Sequence, residues 1–235
     1  MSLKRRLRAP VFDAEGPCPP CGDVMDIWGD HALTCACDRD RTIRHNTIRN
    51  VCYKEALEAG LRPEREKADL LPGRPAADGL LLANSYRRPA DVWLPRGSSG
   101  KGEALDFAVS SGLQSELFHP VAETPGLVFH RYDGMKRGFK DTAATCETAG
   151  FKFVPLVVEA HGGGWSPSTR ATVDFISRTQ SACQHEDVTS VSLRIAQRIS
   201  CTLHKENARA VLRRAAVPAA PSFLPSGWDV AGDSW

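Results

Sequence analysis

No stretch of this chain is apolar for long enough to cross a bilayer as a helix. Lys4, Arg5, Arg6 and Arg8 stand near the start, yet no apolar run follows them, so the pattern is not that of a secretory leader. These two absences set the expectation of a nuclear or cytoplasmic protein, not secreted and with no membrane partner. Strong net charge is also missing. The formal charge is +2, a balance that permits nucleic-acid binding without demanding it. No internal repeat is found. Two catalytic signatures fail as well. "HGGG" at 161–164 is the kind of loop esterases use to hold an oxyanion, but no G-x-S-x-G elbow supplies a nucleophile. "GSSGKG" lacks the spacing of a phosphate loop. Both read as turns, and no small-molecule cofactor is expected.

Cysteine, by contrast, is plentiful. Eight cysteines in a chain without a leader point to a reducing compartment, where paired cysteines hold metal more often than they form disulfides. "CPPCGDVMDIWGDHALTC" runs from Cys18 to Cys35. Cys18 and Cys21 have the C-x2-C spacing that lets two sulfurs of one tight turn face a single ion, and thiolate plus imidazole suit tetrahedral zinc. Pro19 and Pro20 stiffen the turn, and Gly22 is expected at positive φ. His31 and Cys35 complete a Cys3His set, with Cys37 a rival for the last place. The competing readings are buried free cysteines beside a surface histidine, or a disulfide.

Along the chain, residues 1–15 read as a loose basic arm, 16–40 as the zinc knuckle, and 183–214 as a C-terminal helix. Residues 215–235 are Pro- and Gly-rich and read as disordered. Between 41 and 182 helices and strands alternate. Ile48, Val51, Cys52, Ala56 and Ala59 form a helical stripe closed by Gly60 at C′. "RPEREKADLLPG" and "RPAADGLLLANSYR" read as turn-rich connectors. "RRPADVWLP" and "GEALDFAVSS" read as two strands joined by "RGSSGKG". A long polar loop reaches to about Leu127. Met135, Phe139, Ala143 and Cys146 then mark a second amphipathic helix ending at Gly150. "FKFVPLVVEA" reads as a buried strand. Ser166 and Pro167 supply the N-cap and first position of a third helix.

The hairpin can be placed in register. If the turn centres between Ser98 and Ser99, Asp91 and Asp106 are equally distant from it and face each other on one side of the sheet. Val92, Leu94, Leu105, Phe107 and Val109 then share the other, core-forming face. Two like charges directly opposite are destabilising unless compensated, and a divalent cation such as magnesium compensates carboxylates well. The alternative is a solvated hairpin on which the aspartates splay apart.

These features occur in a particular order: C-x2-C…H-x3-C, "RHN" at 44–46, "RPAD" at 88–91, "LDFAVSS", then "KRGFKDTAATCETAGFKFVPLVVEAHGGGW". Over residues 16–182 the series resembles the C-terminal end of site-specific non-LTR retrotransposon polyproteins. There a zinc knuckle precedes a restriction-like endonuclease of the PD-(D/E)xK superfamily. The resemblance implies an α/β fold with a restriction-endonuclease-like mixed central sheet flanked by helices, preceded by a small Cys3His zinc knuckle. Since the sequence carries no reverse transcriptase region, it further implies a detached 3′ fragment or a captured gene.

The resemblance also implies roles. Glu66 would be the acidic residue on or near the first helix. Asp91 would be the aspartate of the (R/K)PD motif, here with one extra residue after the proline, and Asp106 the second carboxylate. The lysine usual two residues later is Ala108, so the charge is expected from the following helix, with Lys136 the first choice and Lys140 the second. Asp91 and Asp106 would hold catalytic Mg²⁺, while zinc at Cys18, Cys21, His31 and Cys35 would be structural. Glu159 reads more as a strand-end charge than as a supporting carboxylate. The expected partner is DNA, or the RNA of a parent element. Arg39, Arg41 and Arg44 beside the knuckle are the candidate DNA contacts. Arg194, Arg198, Lys205, Arg209 and Arg213 along the C-terminal helix read first as a solvated face and second as a phosphate track. The rival functions are a decayed, non-catalytic nucleic-acid-binding module and a purely structural zinc protein.

Overall fold

The C-x2-C segment folds as the tip of a small hairpin. Strands β1 (Gly16–Pro17) and β2 (Val24–Met25) pair antiparallel. The tip closes through Gly22 N–H to Cys18 O at 2.7 Å, with Gly22 at φ +79° as its position requires. Helix α1 (His31–Thr34) follows, and then α2 (Asp40–Glu58). The computed structural model describes residues 4–5, 7–37, 39–71, 89–113, 117–124, 126–161 and 164–215.

Helix α2 stops where its sequence says it should. Gly60 sits at φ +72°, its N–H bonds to Leu57 O, and Leu61 N–H reaches back to Ala56 O, the two bonds of a Schellman cap. A short strand β3 (Glu64–Arg65) comes next, in what the sequence suggested was only a connector. The four-stranded sheet has the order β3-β4-β5-β6, with β4 (Val92–Leu94) and β5 (Glu103–Ser110) antiparallel and β6 (Lys152–Glu159) parallel to β5. Pro155 sits in β6, which has β5 as its only strand neighbour in this sheet, and an edge is where a strand tolerates proline.

Between β5 and β6 lie α3 (Phe118–Glu123), α4 (Leu127–Gly138), a 3-10 turn (Phe139–Asp141) and α5 (Thr142–Thr148). Two expectations fail here. The polar loop before Leu127 contains a helix, and the single helix through Met135 and Cys146 is two. Lys140 and Asp141 both take positive φ, at 52° and 53°, which breaks the helical path. Cys146 is buried, but Met135 and Phe139 are 54% and 61% exposed, so the stripe expected to pack on the sheet does not.

Helix α6 (Pro167–Gln184) starts as predicted. Ser166 accepts from Thr169 N–H, and Pro167 sits at the first position. Helix α7 (Val188–Ala215) completes the chain that is described. Residues 74–87 of the second connector and the tail at 216–235 lie outside the described residues, as do Arg88 and Gly162–Gly163.

The sheet separates two cores. On one face Val92, Leu94, Leu105, Phe107 and Leu156 pack against Ile48 and Ala56 of α2, Ile176 of α6 and Ile195, Ile199 and Leu203 of α7. On the other, Ala104 and Phe153 meet Cys146, Phe151 and Ala90, with Trp93 edge-on to Phe151. Each large apolar side chain fully buried in this way contributes about 1.5–3 kcal/mol. The architecture is therefore mixed α/β, a four-stranded mixed sheet flanked by helices, with a Cys3His cluster near the N-terminus. Among the described residues no helix is long and apolar enough to cross a membrane.

The β4–β5 turn is fixed by a buried carboxylate. Glu103 is 2% exposed, and its Oε1 accepts from Ser98 Oγ, Ser99 N–H and Ser99 Oγ at 2.9–3.3 Å. A Cβ on Gly97 would stand 2.0 Å from Glu103 Cδ. Gly97→Ala thus displaces the carboxylate from its donors, and we expect a loss of about 1–3 kcal/mol in denaturant unfolding. An unchanged midpoint would mean the turn adapts freely.

The N-terminal arm is docked rather than loose. Arg5 is 8% exposed, donating to Trp28 O at 3.1 Å and to Asp30 Oδ1 at 2.9 Å. Arg8 donates to Asp30 Oδ2 at 2.7 Å and lies over the Trp28 ring. Arg5 Nη2 also approaches His161 Nδ1 at 3.3 Å, which puts the imidazole proton on Nε2, facing Ser111 Oγ at 3.3 Å. Burial, then the charges of Arg5, Arg8 and Arg44, push the His161 pKa down to about 4, with Asp30 opposing and Glu159 accepting the His161 backbone N–H. The folded state thus takes up this proton near pH 4 and the unfolded state near 6.5. Between these values the unfolded chain holds more protons, so stability rises with pH across the window and falls on acidification. The His161 contribution to the slope is at most about 1.4 kcal/mol per pH unit. His161→Gln should flatten it in denaturation curves taken across that range; parallel curves would reject the assignment.

Candidate metal centre and carboxylate site

Cys18, Cys21, His31 and Cys35 bring their ligand atoms within 4.8 Å of one another. The Cys18 and Cys35 sulfurs are 4.0 Å apart, those of Cys21 and Cys35 3.7 Å, and Cys21 Sγ lies 3.2 Å from His31 Nε2. A tetrahedron with zinc–sulfur bonds of 2.3 Å has edges of about 3.8 Å, so the spacing already suits one ion. His31 is aimed by Asp26, whose carboxylate accepts the N–H groups of Trp28, Asp30 and His31 at 2.7–3.0 Å. Cys37 lies outside these four but packs against the same cluster.

A buried cation backs this cluster. The Arg214 side chain is 1% exposed, its Nη1 donates to Asp40 Oδ2 at 2.6 Å, and its Nε and Nη2 have no acceptor among the described oxygens and nitrogens. The guanidinium lies beside the sulfurs of Cys35 and Cys18. Burial works against the Cys35 thiolate, but the Arg214 and backbone N–H groups bring its pKa down to about 6. A donor set of three cysteine sulfurs and one imidazole can hold a metal ion and is compatible with zinc.

The second site sits on the sheet face opposite the main core. The hairpin register pairs Val92 with Leu105, Trp93 with Ala104 and Leu94 with Glu103; just before β4 the Asp91 N–H bonds Leu105 O at 2.9 Å, and the Asp91 carboxyl group lies next to that of Asp106. The two carboxyl groups are close enough to shift each other's titration. Asp91 Oδ2 accepts the Phe107 N–H at 2.7 Å, and its Oδ1 lies 3.2 Å from His45 Nε2. Burial opposes the Asp91 charge, yet the bonds from His45 and Phe107 hold its pKa below the usual carboxylate value. Burial pushes the Asp106 carboxyl up to about 6, with Lys136 opposing the rise and the Asp91 charge adding to it.

Lys136 reaches this pair from α4. Its Nζ lies 2.8 Å from Asp106 Oδ2 and over the Tyr132 ring. Burial works against its charge, but Asp106 holds its pKa above the usual lysine value. Lys140 lies beyond the break in the helix, with its Nζ over the Phe139 ring. The structure therefore brings Asp91, Asp106 and Lys136 together. Glu66 meets Asp91 through its backbone: its N–H bonds to Asp91 O, while its carboxylate pairs with Arg49 of α2. It lies after β3 rather than on the helix. Glu159 ends β6 and accepts the His161 N–H.

A cleft of about 330 Å³ opens beside the pair, walled by Ala36 beside the knuckle, Arg41, Arg44 and His45 of α2, and Tyr132 and Lys136 of α4, with Ala108 in its lining. Arg41 is exposed to it, whereas Arg44 lines it with little exposed surface. It is 4% exposed and donates to Leu33 O and Asn207 Oδ1. The basic stripe of α7 is largely spent inside the chain: Arg194 pairs with Glu186, Arg198 with Glu55, Arg209 with Glu206 and Arg213 with Asp40.

Sequence reasoning assigned no role to His45 or Arg214. His45 stands in the "RHN" triplet, but its partner is 46 residues away, beyond the reach of any local pattern. No protein-family model matches this chain, and no curated protein is significantly similar to it.

Proposed function

We propose that this chain is a DNA endonuclease domain of the restriction-like, PD-(D/E)xK kind, of retrotransposon origin, with structural zinc in its knuckle and Mg²⁺ at the aspartate pair. The observation that carries the reading is the convergence of Asp91, Asp106 and Lys136, beside a cleft that Lys136 and His45 line. The lysine comes from a separate helix, where the resemblance led us to look once Ala108 vacated the usual position. The fit to a hard cation rests on the donors: two carboxylates in contact, both half-buried, with one ammonium against them. Bound there, Mg²⁺ would lower the pKa of a water and offset charge on phosphate oxygens.

The chain's own residues do the rest. Phe107 N–H and His45 fix the Asp91 carboxylate, so its orientation costs nothing when substrate arrives. Lys136, tethered at Asp106, holds a positive charge where a phosphate would sit and can hand its hydrogen bond to the substrate. Arg41 offers a backbone phosphate a partner at the mouth of the cleft.

One observation favours a second reading, a decayed nucleic-acid-binding module. Glu66 is engaged with Arg49, which leaves two carboxylates in the site rather than three. Incubation with supercoiled plasmid separates the two. Nicking in Mg²⁺ that stops in EDTA supports the enzyme. A salt-sensitive gel shift without nicking supports the binder, and neither result leaves a structural zinc protein.

A further inference from the structure

We infer that Arg214 is the positioning residue of the Cys3His centre, its buried guanidinium neutralising the thiolates and tying the last turn of α7 to the bound metal. Three thiolates and a neutral imidazole around a divalent cation leave one excess negative charge. Asp40, 6% exposed, adds a second. Arg213 and Arg214 both bond Asp40, at 2.9 and 2.6 Å, so the two guanidinium charges offset Asp40 and the excess charge of the centre, with Arg214 and Asp40 themselves shielded from water.

The division of labour within Arg214 is the decisive feature. Nη1 is used up by Asp40 and by Ala210 O at 2.8 Å. Nε and Nη2 are buried and make no hydrogen bond among the described residues, while the guanidinium as a whole lies beside the sulfurs of Cys35 and Cys18. A neutral thiol is a weak acceptor, whereas a metal-bound thiolate is a good one. The guanidinium is thus satisfied only when the cysteines are ligands. Val211, three residues earlier and fully buried, packs against the same cysteines, so α7 meets the cluster with both an apolar and a cationic contact. Two partners of this kind orient ligands and tune metal affinity even though neither touches the ion.

The proposal rests on the metal reading of the cluster, and the experiment keeps the two apart. Zinc-loaded protein is mixed with a chromogenic chelator and zinc transfer is timed. Arg214→Met should release zinc about 10–100-fold faster than the parent, with Arg214→Lys between them. Arg213→Met, which removes the outer partner of Asp40, should release at close to the parental rate. A parental rate in folded Arg214→Met overturns the proposal and leaves the zinc site standing; parental protein that carries no zinc overturns both. If Arg214→Met does not fold, the unaltered protein decides. Loaded with ¹¹³Cd, it should show scalar coupling between the metal and an Arg214 side-chain N–H, transmitted through sulfur. Well-resolved Arg214 N–H resonances without that coupling reject the contact.

Discussion

Lys136→Ala should lower the rate of plasmid nicking by at least about 10²-fold, the usual cost of removing one preorganised charge from a transition state. DNA affinity, read by gel shift at fixed salt, should change little. One phosphate contact among several contributes a small share of binding, whereas the positioned ammonium acts where charge develops. The expectation follows from geometry: Lys136 Nζ is 2.8 Å from Asp106 Oδ2, and α4 holds it there before any substrate binds. Lys140→Ala should nick like the parent, because the backbone turns left-handed at Lys140 and carries its side chain to Phe139. An active Lys136→Ala with an inactive Lys140→Ala would transfer the role, and full activity in the double variant would remove both lysines from the chemistry.

Stripping the metal should destabilise far more than the knuckle. The cluster around the four ligands is small, with Met25 and Ala32 as its main apolar members, and it leans on Val211 of α7. A core of that size does not hold a hairpin and a one-turn helix without an ion, since metal binding in such units is itself the folding energy. Chelation should therefore lower the melting temperature by roughly 10 °C or more and should loosen the last turns of α7 along with residues 16–37. Cys35→Ser should reproduce the loss, while Cys37→Ser should keep zinc. Coincident melts of zinc-bearing protein with and without chelator would show that the ion contributes nothing to folding.

What could be read from the residues was whatever depended on short-range geometry. A tight turn fixes an antiparallel register, so counting from Ser98 and Ser99 set Asp91 against Asp106. The Gly60 and Ser166 caps work within one helical turn and were equally legible. What was missed depends on partners outside the local pattern. Arg44 is basic and polar in pattern, yet Leu33 O and Asn207 draw it inside. The α7 arginines, read first as a solvated face, stay partly exposed, and Glu186, Glu55 and Asp40 pair with them. The break at Lys140–Asp141 leaves no local mark, since neither residue is a glycine and the apolar spacing runs through it unchanged.

Arg44 and His45 are consecutive residues of α2, and they face in different directions. The first holds the carbonyl of Leu33 next to the knuckle; the second meets Asp91 in the cleft. Successive residues on a helix diverge by about 100°, so one turn of α2 sets the bearing of both centres relative to the core stripe at Ile48 and Cys52. Inserting one residue between His45 and Ile48 would swing both contacts around the axis together and misalign two sites in a single event. A chimera that exchanges knuckles must therefore carry the first two turns of α2 with the cysteines.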